Sequence, residues 1–146
     1  MNWHSRERME KSMSHEQKKA LEETVEHVKE IQIEALQTAN EYLTKLIPSM
    51  EEVIGELKSE PKEDTADYLY QIIDGLNWVI EIFNGTISLI NEKSTVMDKE
   101  KINQEVLRLS DAMVSKNFEQ AATVLDSGIL PFLNEFKQIS GMYIAS

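Results

Sequence analysis

Histidines are the side chains here best suited to metal or proton chemistry, and all three, His4, His15 and His27, fall within the first 27 residues. His27 has Glu23, Glu26, Glu30 and Glu34 at helical spacing, so one helix face could offer an imidazole and carboxylates to a cation. Helical bundles that hold two metals use inward glutamates together with Glu-x-x-His pairs. Here the positions three residues before His15 and His27 are Ser12 and Thr24, so that pattern is missing. His27 reads instead as a solvent-facing histidine in an acidic stripe. Gly55, Gly75, Gly85, Gly128 and Gly141 are isolated and build no phosphate loop. Neither a nucleophile elbow nor a kinase-like set is present. The sequence has no cysteine, which removes disulfides, thiol catalysis and thiolate metal sites. With 26 acidic residues, any choice of two as acid and base is arbitrary. No catalytic, cofactor-binding or metal-ligating residue is assigned, and enzyme activity has no support from the sequence.

One constellation remains. Asp74, Asn77, Glu81 and Asn84 recur at i, i+3, i+4 spacing and so share a helix face. They read either as a plain solvent stripe or, turned inward with Tyr70 and Trp78 as walls, as a candidate ligand strip. The helix that carries them, Tyr68 to Asn91, is apolar over more of its circumference than a surface helix needs. Leu69, Ile72, Ile73, Leu76, Val79, Ile80, Phe83, Ile87 and Ile90 form one face. Trp78, Ile82 and Leu89 gather on roughly the opposite side, beside Gly75 and Gly85. Leaving them wet would forfeit roughly 1.5 to 3 kcal/mol per large side chain. Another helix, a second subunit or a ligand must cover them, and Tyr68, Gly75, Trp78, Ile82, Gly85 and Leu89 form the candidate interaction surface.

The other elements follow from phase and caps. Ser14 and Gln17 form a capping box at the start of a first helix. Its stripe runs Leu21, Val25, Val28, Ala35, Leu36, Ala39, Tyr42, Leu43 and Leu46, then on through Met50, Val53, Ile54 and Leu57. Pro48 lies on the polar side and implies a kink, or else a break recapped by Ser49 and Glu52. An unbroken helix from 15 to 58 would measure roughly 66 Å, so a bend near Pro48 or an overhang is required. Ser59 to Asp67 holds a turn. Asp98 caps a third helix with Ile102, Val106, Leu109 and Met113 on one face. Asn117 and Gln120 cap a fourth, with the stripe Phe118, Ala121, Ala122, Leu125, Ile129, Phe132, Leu133, Phe136 and Ile139, and Gly128 with Pro131 implies a second bend. The fold expected is all-α: an antiparallel up-and-down four-helix bundle with proline bends in the first and last helices. Residues 1–13 read as a flexible or separately docked segment, and 14–146 as a single domain.

A net charge of −11 argues against nucleic acid and anionic membrane as partners, since both depend on clustered Lys and Arg. No apolar run is long enough for a membrane span, and the N-terminus lacks the apolar core of a signal peptide, so the expected location is cytoplasmic.

The stretches DYLYQIIDGLNWVIEIF and LSDAMVSKNFEQAATVLDSGILPFLNEF together resemble a group of small uncharacterised helical-bundle proteins of Gram-positive bacteria. That resemblance implies a four-helix architecture and carries over no functional residue. The function expected is a non-enzymatic, acidic protein-interaction module, a homodimer or the partner of another protein, with an adaptor or an export chaperone as concrete forms. The alternative is a small-molecule-binding or catalytic bundle with its site beside Tyr70, Asp74, Asn77, Glu81 and Asn84.

Overall fold

The computed structural model describes residues 14–144, which form helices and turns and contain no strand. The expected N-terminal segment, residues 1–13, lies outside the described residues. Helix α1 runs unbroken over His15–Lys58. The capping box opens it: the Ser14 hydroxyl accepts from the Gln17 N–H at 3.2 Å, and the Gln17 side chain accepts from the Ser14 N–H at 2.9 Å. Two donors with no partner inside the helix are thereby satisfied. Pro48 lies inside α1 with its ring exposed, so the second cap foreseen at Ser49 and Glu52 is not used.

Helix α2 spans Thr65–Ile90. Asp64 precedes it without a side-chain cap bond, and Thr65 does the joining instead. Its hydroxyl accepts from the Lys62 N–H at 2.7 Å and donates to Glu56 of α1 at 2.7 Å. After α2 the Asn91 side chain organises the connection, accepting from the N–H groups of Val96 and Met97 and donating to the Met97 carbonyl. Helix α3, Lys99–Val114, begins at Asp98, whose carboxylate accepts from the Glu100 N–H at 2.9 Å. A tight turn follows in which Lys116 takes a left-handed φ of 56°. Asn117 then accepts from the Gln120 N–H at 3.1 Å to start α4, Phe118–Val124.

Near Gly128 and Pro131, where a bend was expected, the helix changes type. Leu125–Ile129 is a π-helical turn, and α5, Leu130–Gly141, starts directly from it with Pro131 in its first turn. Proline has no N–H to give to the preceding turn and its ring crowds the carbonyl there. The wider π turn accommodates both.

Helix α1 is the hub, packing against α2, α4, the π turn and α5, while α3 packs against α4 and the π turn. Contacts between α1 and α2 step in opposite directions along the two helices, from Lys29–Glu92 through Gln32–Ser88 and Tyr42–Trp78 to Glu52–Tyr68, so the pair is antiparallel. The same holds between α1 and the last helical stretch, from Gln37–Tyr143 through Asn40–Ser140 to Lys58–Asp126. One apolar cluster fills the interior, with Leu36, Leu43, Met50, Leu69, Phe83, Leu125, Leu133 and Phe136 among its fully buried members. Where polar groups enter, they are partnered. Asn40 donates to the Lys137 carbonyl at 2.8 Å and to the buried Ser140 hydroxyl at 3.2 Å. Uncompensated, such groups would cost ~1–3 kcal/mol each.

Candidate functional site

The second apolar side of α2 is met mainly by α1. Gly75 is buried, and a methyl group there would run into the Tyr42 hydroxyl. The missing side chain is what lets the tyrosine lie across α2. Tyr42 then meets Trp78 edge to face, ring centroids 5.1 Å apart at 72°. Further along, the Gln32 side chain donates to the Gly85 carbonyl and to Ser88, both at 3.0 Å. Ile82 and Leu89 are half-buried and pack against the apolar cluster. Tyr68, also half-buried, donates to Glu52 at 3.3 Å. Gly85 differs from Gly75: no atom approaches the place its side chain would occupy. Trp78 keeps 38 % of its surface exposed.

Asp74, Asn77, Glu81 and Asn84 are all exposed, as is Tyr70. Only Asp74 of the strip borders the aromatic pair, in an open groove of about 500 Å³ with Tyr42, Gln71, Gly75 and Trp78. The strip is therefore a water-facing face of α2 that touches a shallow depression at one end. His27 is likewise exposed, 3.9 Å from Glu30. Among the described residues no three His, Asp or Glu side chains gather as a metal site.

Two features lie outside the predicted site residues. The first is the overhang of α1, which the length of the helix had left open as the alternative to a bend near Pro48. Every residue from Ser14 to Val28 is exposed, because α2 ends beside Lys29. The stripe that packs the core at Leu36, Ala39 and Leu43 continues in phase onto this stretch but joins no core cluster among the described residues. Leu21, Val25, Val28 and Ile31 stand 39, 40, 48 and 52 % exposed. The amphipathic period pointed to Leu21, Val25 and Val28 as core, and the helix outruns its partners among the described residues instead. At the overhang's root Lys29 and Glu92 pair at 2.6 Å. The hydrogen bond and charge of Glu92 raise the lysine above its ordinary value, and the same contact with Lys29 lowers the Glu92 carboxyl below the ordinary carboxylate range. The pair's contribution is present at neutral pH. It is lost in acid as pH falls through the lowered carboxyl value, and in alkali as pH rises through the raised lysine value. A carbon-detected NMR titration should show the Glu92 carboxyl moving back up in Lys29→Met. An unchanged midpoint would mean that the two side chains do not pair in solution.

The second feature is a cleft of about 500 Å³ between α3 and the π turn, lined by Met97, Asp98, Lys101, Glu105, Ser127, Phe132 and Glu135 among others. Glu105 lies directly against Gly128, where any larger residue would displace its carboxylate, and accepts from Arg108 at 3.0 Å. Gly128 and Pro131 could have signalled an irregular turn, but the carboxylate facing it comes from a different helix and leaves no local pattern.

Among the described residues, helices and turns surround one apolar interior, and the chain is all-helical. The chain belongs to a family described as a domain of unknown function, DUF8042, which matches residues 34–139. Both stretches quoted for the resemblance fall inside that match, and the overhang of α1 lies before it. No curated protein and no solved structure matches the chain. No helix among the described residues is long and apolar enough to cross a membrane.

Proposed function

We propose that this protein is a non-enzymatic, cytoplasmic interaction module of bacterial origin, adaptor- or chaperone-like, that docks on another protein or on a second copy of itself. In this reading it is an antiparallel up-and-down bundle bent at Pro48 and at the π turn. The observation that carries the reading is the apolar stripe Leu21, Val25 and Val28, with Ile31 beside it, held on a helix that extends past the other described elements. Monomeric proteins scatter single exposed apolar residues over their surfaces, whereas an ordered row marks a contact. The exposed edge of Trp78 beside Tyr70 adds a second, smaller patch. A ligand-binding reading rests on the groove of Asp74, Gly75 and Trp78 and ranks second, because the strip that should orient a ligand faces water.

Amine-reactive cross-linking in intact cells tests the interaction reading. Lys18, Lys19 and Lys29 flank the stripe and are expected in intermolecular cross-links that weaken at least several-fold in a Val25→Glu, Val28→Glu double variant. Cross-links confined to a single copy of the chain would refute it.

A further inference from the structure

We infer that the exposed face of α2 docks a basic helical segment of another protein, with arginines at every seventh position laid along Asp67, Tyr70, Asp74, Trp78 and Glu81. The inference rests on the interaction reading and gives the chemistry of the partner. Three observations carry it.

Acids and rings alternate along one face. Steps of three, four, four and three residues keep Asp67, Tyr70, Asp74, Trp78 and Glu81 on one side of α2, and all five are exposed. Tyr70 and Trp78 leave 51 and 38 % of their surfaces open. Tyr42 of α1 meets the Trp78 ring edge to face, and Asp74 borders the open groove beside it. The faces of such rings attract cations. A guanidinium suits rings and acids together, since it stacks on the first and pairs with the second.

The face has no cation of its own. Helix α2 contains no Lys, Arg or His in its 26 residues, whereas α1, α3 and α5 each contain Lys or Arg. Asp67 lies in the first turn, where the helix dipole favours an acid. Asp74 and Glu81 lie too far along for that. Among the described residues no Lys, Arg or His pairs with any of the three acids. Lys45 of α1 borders a second groove at Trp78, where Glu41 offsets its charge. The row therefore draws its cations from outside, and a net charge of −11 steers them in.

Spacing and charge select the occupant. The three acids are seven residues apart and so recur every ~10.5 Å along the axis. Arginines seven residues apart on a partner helix recur at the same step, while residues sharing one face of a strand recur every ~6.8 or ~13.6 Å. A second copy brings the same net charge, and a two-fold contact centred on this face would set the acid row against itself. Residues 1–13 of the same chain span at most ~47 Å. Ser14 lies ~57 Å along α1 from Glu52, which bonds Tyr68 at the start of the row, so that segment cannot reach the whole row.

The probe is a synthetic helical peptide with arginine at every seventh position, titrated against the full chain carrying Trp3→Phe so that Trp78 alone reports. Emission and calorimetry are expected to show saturable binding that added salt weakens. Asp74→Asn with Glu81→Gln should lower the affinity several-fold at an unchanged helical circular dichroism signal, since both side chains are exposed. Glu16→Gln with Glu119→Gln should leave it as it was. A peptide of the same composition with its arginines consecutive should bind more weakly. Absence of saturable binding overturns the inference, as does equal binding of the two peptides or an affinity indifferent to Asp74 and Glu81. So does a doubled mass in sedimentation that Tyr70→Glu returns to the single-chain value, which makes a second copy the occupant. If the peptide fails to bind while Lys18 and Lys19 still form intermolecular cross-links in cells, this inference falls and the interaction reading stands. With neither peptide binding nor cross-link, both fall.

Discussion

Phe83→Ala is expected to lower the free energy of unfolding by ~3–5 kcal/mol, a large share of the ~5–15 kcal/mol that holds a domain together. Phe83 is fully buried in α2. Its ring meets Phe132 at 4.9 Å and Phe136 at 5.5 Å, both edge to face, and those two rings stack on each other at 5.9 Å. The three rings join α2 to α5, so truncating the middle one opens a cavity and removes two aromatic contacts worth ~0.5–1.5 kcal/mol each beyond their burial. Phe83→Leu keeps most of the volume and should cost less than half as much. Urea midpoints of the two variants, measured with the slope of the transition, provide the check. A loss under ~1 kcal/mol for the alanine variant would mean that the surrounding helices close over the gap, and that the ring cluster is not what fixes α2 against α5.

The second large effect separates two glycines of one helix. Gly75→Leu should destabilise by ~1–3 kcal/mol or more, because its side chain must displace Tyr42 and with it the edge contact to Trp78. Gly85→Ala should stabilise by up to ~1 kcal/mol, since nothing occupies the space its methyl group would enter. Thermal melts of both variants give the signs. The tryptophan emission of Gly75→Leu, compared in a Trp3→Phe background so that Trp78 alone reports, should change with the displaced tyrosine. Shifts of the same sign for both glycines would show that α1 does not close on α2 at Gly75.

These variants also mark where the sequence was legible. Caps were: Ser14 with Gln17, Asp98 and Asn117 each bond the N–H groups expected of them, because a cap is a contact between neighbours in the chain. The stripes of α2, α3 and the last helices were legible for the same reason, as periodicity is local. Gly75 and Gly85 looked alike, because their difference is made by Tyr42, more than thirty positions away. Leu21, Val25 and Val28 carried the core period faithfully, yet periodicity says only that a face wants covering. It does not say that α2 ends level with Lys29. Glu105 against Gly128 had no signature, since neither residue is unusual until the π turn brings them together. The π turn at Leu125–Ile129 depends on how Pro131 is accommodated, and no local pattern specifies that turn type.

The central position of α1 has a consequence for the order in which the chain can fold during synthesis. Its middle section touches the far end of the molecule: Gln37 reaches Tyr143, and Asn40 reaches Lys137 and Ser140. The α1–α2 hairpin can close as soon as its own residues leave the ribosome. At ~5–20 residues per second, the segments that finish covering α1 then arrive several seconds later. Throughout that interval the side of α1 destined for α5 is wet on every nascent chain. A growing chain of this protein thus spends its longest vulnerable period as a half-covered hairpin, and a slow codon run placed after residue 91 would lengthen that exposure while one placed before it would not.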